Sequence, residues 1–498
     1  MATITSSGIT IPVKYLVAKL THDGYKQYLK GLTVTFTPRM GAPKITKMYE
    51  IVRDTRGEVC LVIPRGDIFL YGFESVSKMG PPRRCENTPE FVGTLRPSQQ
   101  IVVNHVLGVF TDDAISKGKA CLYLELKAGF GKTFVAMAVC SKLKLRTAYV
   151  VPRRKLATQG LADACCVLKG NPPLVGCQDG RFAKKISSVP ENEQTITFFV
   201  VNSFLKLTTE ELRRFSLVIL DEAHMYHSEA RRKIFKMCRH AVLGMTATPE
   251  CRVDGNDAVV IRELGPIVHA LDLPNFAYEP ESAFRGTVKI IKYFGPDDYA
   301  QNLTHESTDM IFVHYMYEQF AADRIRTNIL VKEITNLLEW RGSEGQKHCI
   351  FVFAEEKNNL TVVRDALLAT DSSEVTVLED ILDENATGMF VGGTSDTAID
   401  AMTKNCRVFF ATYPFAGTGV SIPRATAEVF VTPRKANMDQ IVGRITRTGG
   451  DTSIERVVVD LVDAKTALVG QYRIRAATYR SYGFTQQHVH VHAEELED

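Results

Sequence analysis

From about residue 90 onward, short apolar runs of strand length alternate with amphipathic stretches. Unbroken apolar runs of this length are typical of parallel strands that are buried on both faces and joined by crossover helices. The runs are Ala120–Leu126, Thr147–Pro152, Ile196–Asn202, Leu217–Glu222 and Ala241–Thr248, then His348–Ala354, Gly388–Gly393, Arg407–Tyr413, Ala427–Pro433 and Glu455–Asp463. The pattern predicts an α/β protein with two parallel-sheet domains in series.

The first 85 residues have a different pattern. Leu32–Pro38, Val59–Pro64 and Asp67–Phe73 are short β-rich runs, separated by glycine, proline and charged turns. They predict a small β-rich or α/β N-terminal module. Met79–Glu90 is rich in proline and charge, and we interpret it as a linker.

A long amphipathic stretch, Met310–Trp340, predicts one helix that leads into the second sheet domain. These boundaries divide the chain into four parts. They are an accessory module (1–85), a first sheet domain (90–255), a connector (256–320) and a second sheet domain with a C-terminal extension (321–498).

Composition narrows the possible partners and compartment. The 498 residues carry 60 Lys+Arg and 57 Asp+Glu, a formal net charge of +3, which excludes a protein that holds nucleic acid by bulk charge alone. No stretch approaches 18 consecutive apolar residues, so we expect no membrane partner. Eleven cysteines without a CxxC pair indicate reduced thiols in a cytoplasmic or nuclear protein.

A glycine-rich segment lies between an apolar strand and a helix, where a phosphate-binding loop is needed. Glycines let backbone amides turn towards the phosphates, the lysine neutralises them, and the threonine hydroxyl reaches Mg²⁺. The strict pattern has glycine at the position of Leu126. The candidate ATP-binding residues of this loop are Ala128, Gly129, Phe130, Gly131, Lys132 and Thr133.

Two adjacent carboxylates end the strand within Phe215–His224. Asp221 at the strand tip is placed to hold Mg²⁺ together with Thr133, and Glu222 can polarise the attacking water as a general base. Asp221 lies 88 positions after Thr133 (221 − 133), which leaves room for two intervening strands and helices.

With GMTATP (Gly244–Pro249), the chain resembles superfamily 2 helicases. AGFGKT, DEAH and TAT are similar to motifs I, II and III, RVFFATYPFAGTGVSIP to motif V and QIVGRITR to motif VI. LRPSQQ, VVPRRKL and HCIFVFA resemble the adenine-reading, Ia and IV motifs. The resemblance covers about 95 to 465 and implies two RecA-like domains. It is closest to DEAH-box helicases of large DNA viruses, of the poxvirus transcript-release and asfarvirus type, and to the repair-and-transcription branch.

The resemblance also implies roles for individual residues. Gln99 would read adenine, Gly419 and Gln440 would contact ATP, and His224, Thr246 and Thr248 would couple the nucleotide site to motion. Ser421 replaces an acidic residue that is usual in motif V. Arg444 and Arg447, three apart, are predicted to lie on one face of a helix and to act on the γ-phosphate.

Nucleic-acid contacts are expected at the ends of strands in both sheet domains. Small hydroxyls, amides and arginines there would hold phosphates without reading sequence. The candidates are Arg153, Arg154, Asn202, Ser203, Thr394 and Thr412.

The sequence thus predicts an ATP- and Mg²⁺-dependent helicase or translocase that acts in transcript release or repair. DNA is favoured by the resemblance alone, and RNA stays open. The alternatives are an RNA helicase, a duplex-tracking annealing motor and a regulatory ATP-binding subunit of a transcription complex. RNA polymerase or transcription factors are further candidate partners. A viral origin would place the protein in the virion or the host cytoplasm.

Overall fold

In the computed structural model, the apolar runs form the centres of two units, Met1–Glu279 and Pro280–Asp498. The structure describes residues 2–5, 8–37, 42–73, 75–127, 129–170, 175–178, 194–238, 240–250, 254–278, 284–304, 311–370, 386–416, 422–446 and 450–496. Each unit contains one seven-stranded sheet in which every neighbouring pair is parallel. The predicted α/β class with two RecA-like sheets and a β-rich N-terminal part is confirmed.

The N-terminal module is a five-stranded sheet of order β5-β6-β2-β1-β7 with a separate β3–β4 hairpin. Its strands are β1 (Ala2–Thr5), β2 (Gly8–Pro12), β3 (Thr33–Phe36), β4 (Lys44–Lys47), β5 (Glu50–Arg53), β6 (Val59–Ile63) and β7 (Ser75–Ser77), and its helices are α1 (Val13–Gly31) and α2 (Asp67–Tyr71). The buried isoleucines of β1 and β2 pack under α1, so the module has its own small core.

One predicted β-rich run of this module is wrong, because Asp67–Phe73 begins with helix α2. The buried Asp67 carboxylate accepts hydrogen bonds from the Tyr28 hydroxyl at 2.5 Å and from Arg262 Nη1 at 3.1 Å. Gly72 ends the helix in the left-handed region, with φ of 56°. The long-range hydrogen bonds of Asp67 and the glycine cap at Gly72 therefore outweigh the β propensity of the run.

The module is fastened to the first sheet domain by backbone contacts. Arg65 Nη2 donates to the Cys238 carbonyl at 2.8 Å, and the Gly66 amide donates to the Glu263 carbonyl at 3.1 Å. A side chain at Gly66 would meet the Gly265 backbone nitrogen at 2.3 Å, so this close approach requires glycine. The N-terminal module is thus part of the first unit.

The first parallel sheet has the order β12-β13-β10-β14-β15-β9-β16, and the five strands predicted for it are confirmed. Its unit contains the strands β8 (Glu90–Phe91), β9 (Ala120–Glu125), β10 (Thr147–Val151), β11 (Leu168–Lys169), β12 (Val175–Gln178), β13 (Ile196–Val200), β14 (Leu217–Asp221), β15 (Ala241–Thr246) and β16 (Ile267–His269). Its helices are α3 (Pro97–Val109), α4 (Asp112–Ser116), α5 (Lys132–Leu143), α6 (Arg154–Val167), α7 (Val201–Phe204), α8 (Thr209–Leu212) and α9 (Asp257–Leu264).

The second parallel sheet has the order β19-β20-β18-β21-β22-β17-β23. Its strands are β17 (Gly286–Phe294), β18 (Ile350–Ala354), β19 (Thr387–Phe390), β20 (Val408–Thr412), β21 (Ala427–Phe430), β22 (Arg456–Asp463) and β23 (Thr485–His492). Its helices are α10 (Val313–Ala322), α11 (Arg324–Glu339), α12 (Lys357–Leu368), α13 (Asp396–Asn405), α14 (Tyr413–Ala416), α15 (Met438–Val442) and α16 (Tyr472–Ser481).

Two features of the second unit differ from the expectation. The strand β17 lies in the range interpreted as a connector, and the predicted long helix over Met310–Trp340 is two helices. Asp323 separates them because its carboxylate accepts the amide of Arg326 at 3.0 Å and the Tyr293 hydroxyl at 2.9 Å. An N-cap at this point starts α11 as a new helix.

A buried ion pair supports the core of the second unit. Arg475 on α16 and Asp460 on β22 are both 0% exposed, and Arg475 Nε donates to Asp460 Oδ2 at 2.8 Å. The Tyr479 hydroxyl donates to the same oxygen at 2.8 Å. The pair fixes α16 against the sheet.

We expect Arg475→Met to lower the free energy of unfolding by about 3–5 kcal/mol, because it leaves the Asp460 carboxylate buried without its cation. For a unit of this size that corresponds to a drop in the thermal midpoint on the order of 10 °C, measurable by calorimetry. The control is Lys465→Met, which breaks an exposed pair with Asp297 and should cost less than about 1 kcal/mol. Equal losses in both variants would contradict the role of the buried pair.

Candidate active site

The glycine-rich segment forms a tight turn between β9 and α5. Gly129 and Gly131 have φ of 77° and 85°, in the left-handed region that favours glycine. A side chain at Gly131 would also meet Gln99 Nε2 at 2.5 Å. Lys132 is the first residue of α5 and Thr133 the second, so the loop delivers both to a helix N-terminus that favours anions.

The side chain of Gln99 on α3 stabilises this turn through hydrogen bonds. Its Nε2 donates to the Phe130 carbonyl at 2.7 Å, and its Oε1 accepts the Arg96 amide at 2.9 Å. Arg96 Nη2 donates to the same carbonyl of Phe130. Gln99 is 4% exposed, so the structure places it as a support of the loop, and its reading of adenine stays a prediction.

The two adjacent carboxylates lie at the end of β14, the strand two places from β9 in the sheet. Lys132 Nζ lies 2.9 Å from Glu222 Oε1, although the two residues are 90 positions apart. Glu222 has φ of 49°, which is uncommon for a residue other than glycine and costs about 1–2 kcal/mol. The backbone is therefore held in a strained conformation at the carboxylate that faces the loop lysine.

His224, Thr246 and Thr248 form a hydrogen-bonded chain behind Glu222. His224 Nδ1 lies 2.6 Å from Thr246 Oγ1, and that hydroxyl lies 3.4 Å from Glu222 Oε2. The Thr248 amide donates to Thr246 Oγ1 at 3.2 Å. The three residues predicted to couple the site are thus brought together, at the ends of β14 and β15.

The pKa values of the two adjacent carboxyl groups, Asp221 and Glu222, are shifted in opposite directions. Burial and the neighbouring Glu222 carboxylate raise the pKa of Asp221 to about 6. Burial would also raise the pKa of Glu222, but the cations Lys132 and His224 outweigh it, so the pKa is lowered. Glu222 accordingly carries the negative charge that pairs with Lys132.

Oxygen donors suited to Mg²⁺ converge beside the loop. Thr133 and Asp221 supply a hydroxyl and a carboxylate, which are ligands that this hard cation prefers. The Tyr149 hydroxyl on β10 is directed at the same two side chains. The donor set fits a magnesium ion carried by a nucleotide, which is usually held by one or two protein groups and phosphate oxygens.

Two aromatic residues at the end of the first unit were missed by the sequence analysis. The Tyr278 hydroxyl accepts the Lys127 amide at 3.3 Å, and the Lys127 ammonium lies 4.7 Å from the Tyr278 ring centre. The rings of Phe276 and Phe130 lie 4.9 and 5.6 Å from that of Tyr278. No motif marks this contact, because some 150 residues (278 − 127 = 151) separate its partners.

The candidate nucleic-acid residues of the first unit cluster at the carboxyl ends of β10 and β13, which are neighbours in the sheet. Arg153 is the N-cap residue directly before α6, and much of its side chain is exposed. Partial burial, and then the nearby Arg231, lower its pKa. Asn202 and Ser203 lie in the short helix α7 after β13. Arg154 follows Arg153 and is half-buried.

Thr394 and Thr412 are similarly placed in the second unit: Thr394 follows β19, and Thr412 is the last residue of the neighbouring strand β20. The Thr394 hydroxyl donates to the Val391 carbonyl at 2.8 Å and closes the turn there. Both threonines are half-buried. Each unit thus brings its candidates to one edge of its sheet.

Motif VI differs from the expectation in its local structure. The helix α15 precedes Gly443 and ends at Val442, so Arg444 lies in the following turn rather than on a helical face. A side chain at Gly443 would meet the Asp439 carbonyl at 2.6 Å, so the chain packs too closely there for any residue but glycine. Gln440 lies on α15 and is half-buried. The candidates Ala128, Gly419 and Arg447, and also Ser421, lie outside the described residues.

A buried glutamate lies next to the core on which motif VI packs. Glu428 on β21 is 0% exposed, and neither carboxylate oxygen has a hydrogen-bond partner in the part of the chain that the structure describes. It pairs in register with Phe351 and Val458, which belong to the same core as Ile441 and Ile445. Burial raises the pKa of Glu428 well above its usual value, although Arg444 acts in the opposite direction. Burial of Glu428 therefore favours its uncharged form.

The glycine loop at a helix N-terminus and the lysine paired with a strand-end carboxylate suit ATP hydrolysis. The two RecA-like sheets are typical of the helicase class. Residues 93–251 match the family model of the type III restriction enzyme res subunit. The chain is also 30% identical over 498 residues to QP509L of African swine fever virus, provisionally named an ATP-dependent RNA helicase, covering 97% of this chain and 92% of that protein. The chain belongs to the superfamily 2 helicases of large DNA viruses.

Other comparisons agree with this family. Helicase 161L of Invertebrate iridescent virus 6, also provisionally named, is 23% identical over 403 residues and covers 79% of this chain and 82% of its own length. The solved structure of the restriction-modification enzyme LlaBIII bound to DNA is similar in fold. Its TM-score is 0.52 at 14% identity, and the match covers 81% of this chain and 32% of LlaBIII.

Within the described residues, no helix has the length and apolar character needed to cross a membrane. The same residues contain no group of three or more histidine, cysteine, aspartate or glutamate side chains that could hold a metal ion.

Glu428 makes a pH-dependent contribution to stability that can be measured. A carboxyl whose pKa is raised in the folded state stabilises the fold at low pH and loses that contribution as the pH rises above its unfolded value of 4.5. We expect the thermal midpoint of Glu428→Gln, relative to that of the unmodified protein, to rise from pH 5 to pH 8. The slope is limited to about 1.4 kcal/mol per pH unit. The exposed Glu339→Gln is the control and should show no trend. A flat difference for Glu428→Gln would refute the raised pKa.

Proposed function

We propose that the protein is an ATP-dependent translocase or helicase that tracks the phosphate backbone of DNA with little dependence on sequence. The contact chain from Lys132 through Glu222 to His224 and Thr246 carries this proposal. It joins the phosphate-binding loop to the next motif through the residue suited to activate water. A mere ATP-binding scaffold needs no such chain, because binding alone does not require a positioned base.

The ion pair between Lys132 and Glu222 suggests how the nucleotide starts the cycle. The ATP phosphates compete with Glu222 for the Lys132 ammonium, since both are anions within reach of one cation. Glu222 then polarises the attacking water. Thr133 and Asp221 would hold Mg²⁺, which would neutralise charge that develops on the phosphates. His224 and Thr246 sense the change at Glu222 and pass it to the segment after β15.

We further propose that motif VI completes hydrolysis. Arg444 and Arg447 stabilise charge on the transferred phosphoryl group, as arginine fingers do, and Gly419 and Gln440 contact the nucleotide. The first unit alone holds the phosphates. Binding and chemistry therefore depend on different residues, which mutation can separate.

The nucleic-acid track runs over Arg153, Arg154, Asn202 and Ser203 in the first unit and Thr394 and Thr412 in the second. In the first unit, these residues lie at the same carboxyl edge of the sheet as the nucleotide loop and the acid pair, which supports this assignment. Arginines and hydroxyls bind phosphates without reading bases.

The biological role that we propose is transcript release or repair, as a motor of the DEAH type with RNA polymerase or transcription factors as partners, in the virion or the cytoplasm of an infected cell. An RNA helicase is the second candidate function, favoured by the name of the African swine fever virus relative. A duplex-tracking annealing motor would show ATP hydrolysis stimulated by duplex and little unwinding. A regulatory subunit would not turn over ATP.

The test is the rate of ATP hydrolysis alone and with single-stranded DNA, duplex DNA and RNA. We expect stimulation by DNA of any sequence at fixed length. Glu222→Gln should retain ATP binding and lose about 10²- to 10⁴-fold in turnover, because it removes the general base but not the metal ligand. Lys132→Ala should abolish turnover. Stimulation by RNA alone would replace the DNA assignment, and turnover in Lys132→Ala within about tenfold of the unmodified protein would refute the site.

Arg447 gives a separate test of motif VI. We expect Arg447→Ala to leave ATP affinity within a few-fold and to reduce turnover by about 10³- to 10⁵-fold, because a guanidinium acts on charge present only in the transition state. Arg447→Lys should rescue little, since an ammonium lacks the planar fork. Arg473→Ala removes an exposed arginine of α16 and is the matched control. Normal hydrolysis in Arg447→Ala would remove motif VI from the mechanism.

A further inference from the structure

Tyr149 is an unusual residue in the centre of the first sheet. It lies on β10, an interior strand whose other residues are apolar or small, and is 1% exposed. Its ring packs on Phe198 at 4.7 Å between ring centres. Among the described residues its hydroxyl is buried without a hydrogen-bond partner. Leaving a hydroxyl unpaired in this way costs about 1–3 kcal/mol, and phenylalanine would fill the same space without that cost.

The strand register fixes the direction of this hydroxyl. Tyr149 is paired with Ile219 on β14, and Asp221 lies two positions further along the same face. Thr133 and Asp221, the proposed ligands of Mg²⁺, are the side chains that interact with the Tyr149 hydroxyl, although neither makes a hydrogen bond of normal length and angle with it. The buried Tyr149 hydroxyl, which can both donate and accept a hydrogen bond, is thus directed at the place where the metal would bind.

A second tyrosine near Asp221 provides a contrast. The Tyr226 hydroxyl donates to the Asp221 carbonyl at 3.0 Å and lies 3.2 Å from the Val150 carbonyl. These backbone contacts hold β14 to β10 and involve no group of the nucleotide site. Tyr226 is therefore structural, whereas the Tyr149 hydroxyl has no contact of that kind among the described residues.

We propose that Tyr149 is a positioning residue for Mg²⁺ that links its two protein ligands. When the Thr133 oxygen binds the metal, its hydroxyl proton needs an acceptor, and the Tyr149 oxygen is placed to accept it. The Tyr149 hydroxyl then donates its own hydrogen to the Asp221 carboxylate. One oxygen of Asp221 would thereby be held and the other left available to the metal, as outer-shell partners of metal ligands commonly ensure.

This inference rests on the proposed nucleotide site and makes a distinctive prediction. The hydroxyl makes no hydrogen bond of normal length and angle before Mg²⁺ binds, and the proposal gives it two such bonds afterwards. Its removal should therefore leave the metal-free protein unharmed and weaken only the metal-bound state. A merely structural hydroxyl would show the reverse, a loss of stability that does not depend on Mg²⁺.

The experiment compares Tyr149→Phe with the unmodified full-length protein, using a fluorescent ADP analogue titrated with Mg²⁺. We expect the half-saturating Mg²⁺ concentration to rise about three- to tenfold, the equivalent of one hydrogen bond. Without Mg²⁺, the affinity for the analogue and the thermal midpoint should match those of the unmodified protein or exceed them.

Tyr123→Phe is the matched control, because Tyr123 is a fully buried tyrosine of the same sheet that packs in the core on the other face. It should leave the Mg²⁺ titration unchanged. An unchanged titration in Tyr149→Phe, or a lower thermal midpoint with no shift in Mg²⁺, would overturn the proposal. Failure of the proposed nucleotide site is distinguishable, since the unmodified protein would then show no Mg²⁺-dependent binding and Lys132→Ala would still hydrolyse ATP.

Discussion

Parallel pairing of β14 with β10 and β15 is the constraint on which the first unit depends. In a parallel sheet all carboxyl ends meet at one edge, so residues far apart in sequence become neighbours there. Asp221 pairs with Met245, and Thr246 with Glu125 just before the phosphate-binding loop. This register brings Glu222, which directly follows Asp221, within reach of Lys132. A shift by one residue would turn Asp221 to the other face of the sheet and displace Glu222 with it.

Residues whose backbone conformation or burial destabilises the fold are concentrated around the sites to which we assign function. Glu222 has a left-handed backbone, and the hydroxyl of Tyr149 is buried without a partner among the described residues. Glu428 is buried beneath motif VI in the second unit. Each feature destabilises the fold and is retained although a cheaper residue or conformation exists. Such positions indicate function more directly than well-packed ones.

The N-terminal module extends the first unit rather than standing apart from it. Arg65 and Gly66 contact backbone atoms of the sheet domain, and Arg262 of α9 pairs with Asp67. Asp67 is fully buried, so this pair resists screening by salt. A module held in this way forms one unit with the nucleotide-binding domain and adds its exposed surface to that unit.

The sequence by itself determined the fold class, the phosphate-binding loop and the acid pair, because unbroken apolar runs and short motifs are local signals. It could not determine that Asp67–Phe73 starts with a helix, that Asp323 divides a long helix or that Arg444 lies in a turn. Those outcomes depend on partners such as Arg262 and Tyr293, which are far away in the chain. The contacts of Tyr149 and Tyr278 were likewise decided only by the tertiary structure. A tyrosine in an apolar strand acquires a role only when the register brings its hydroxyl to a specific neighbour.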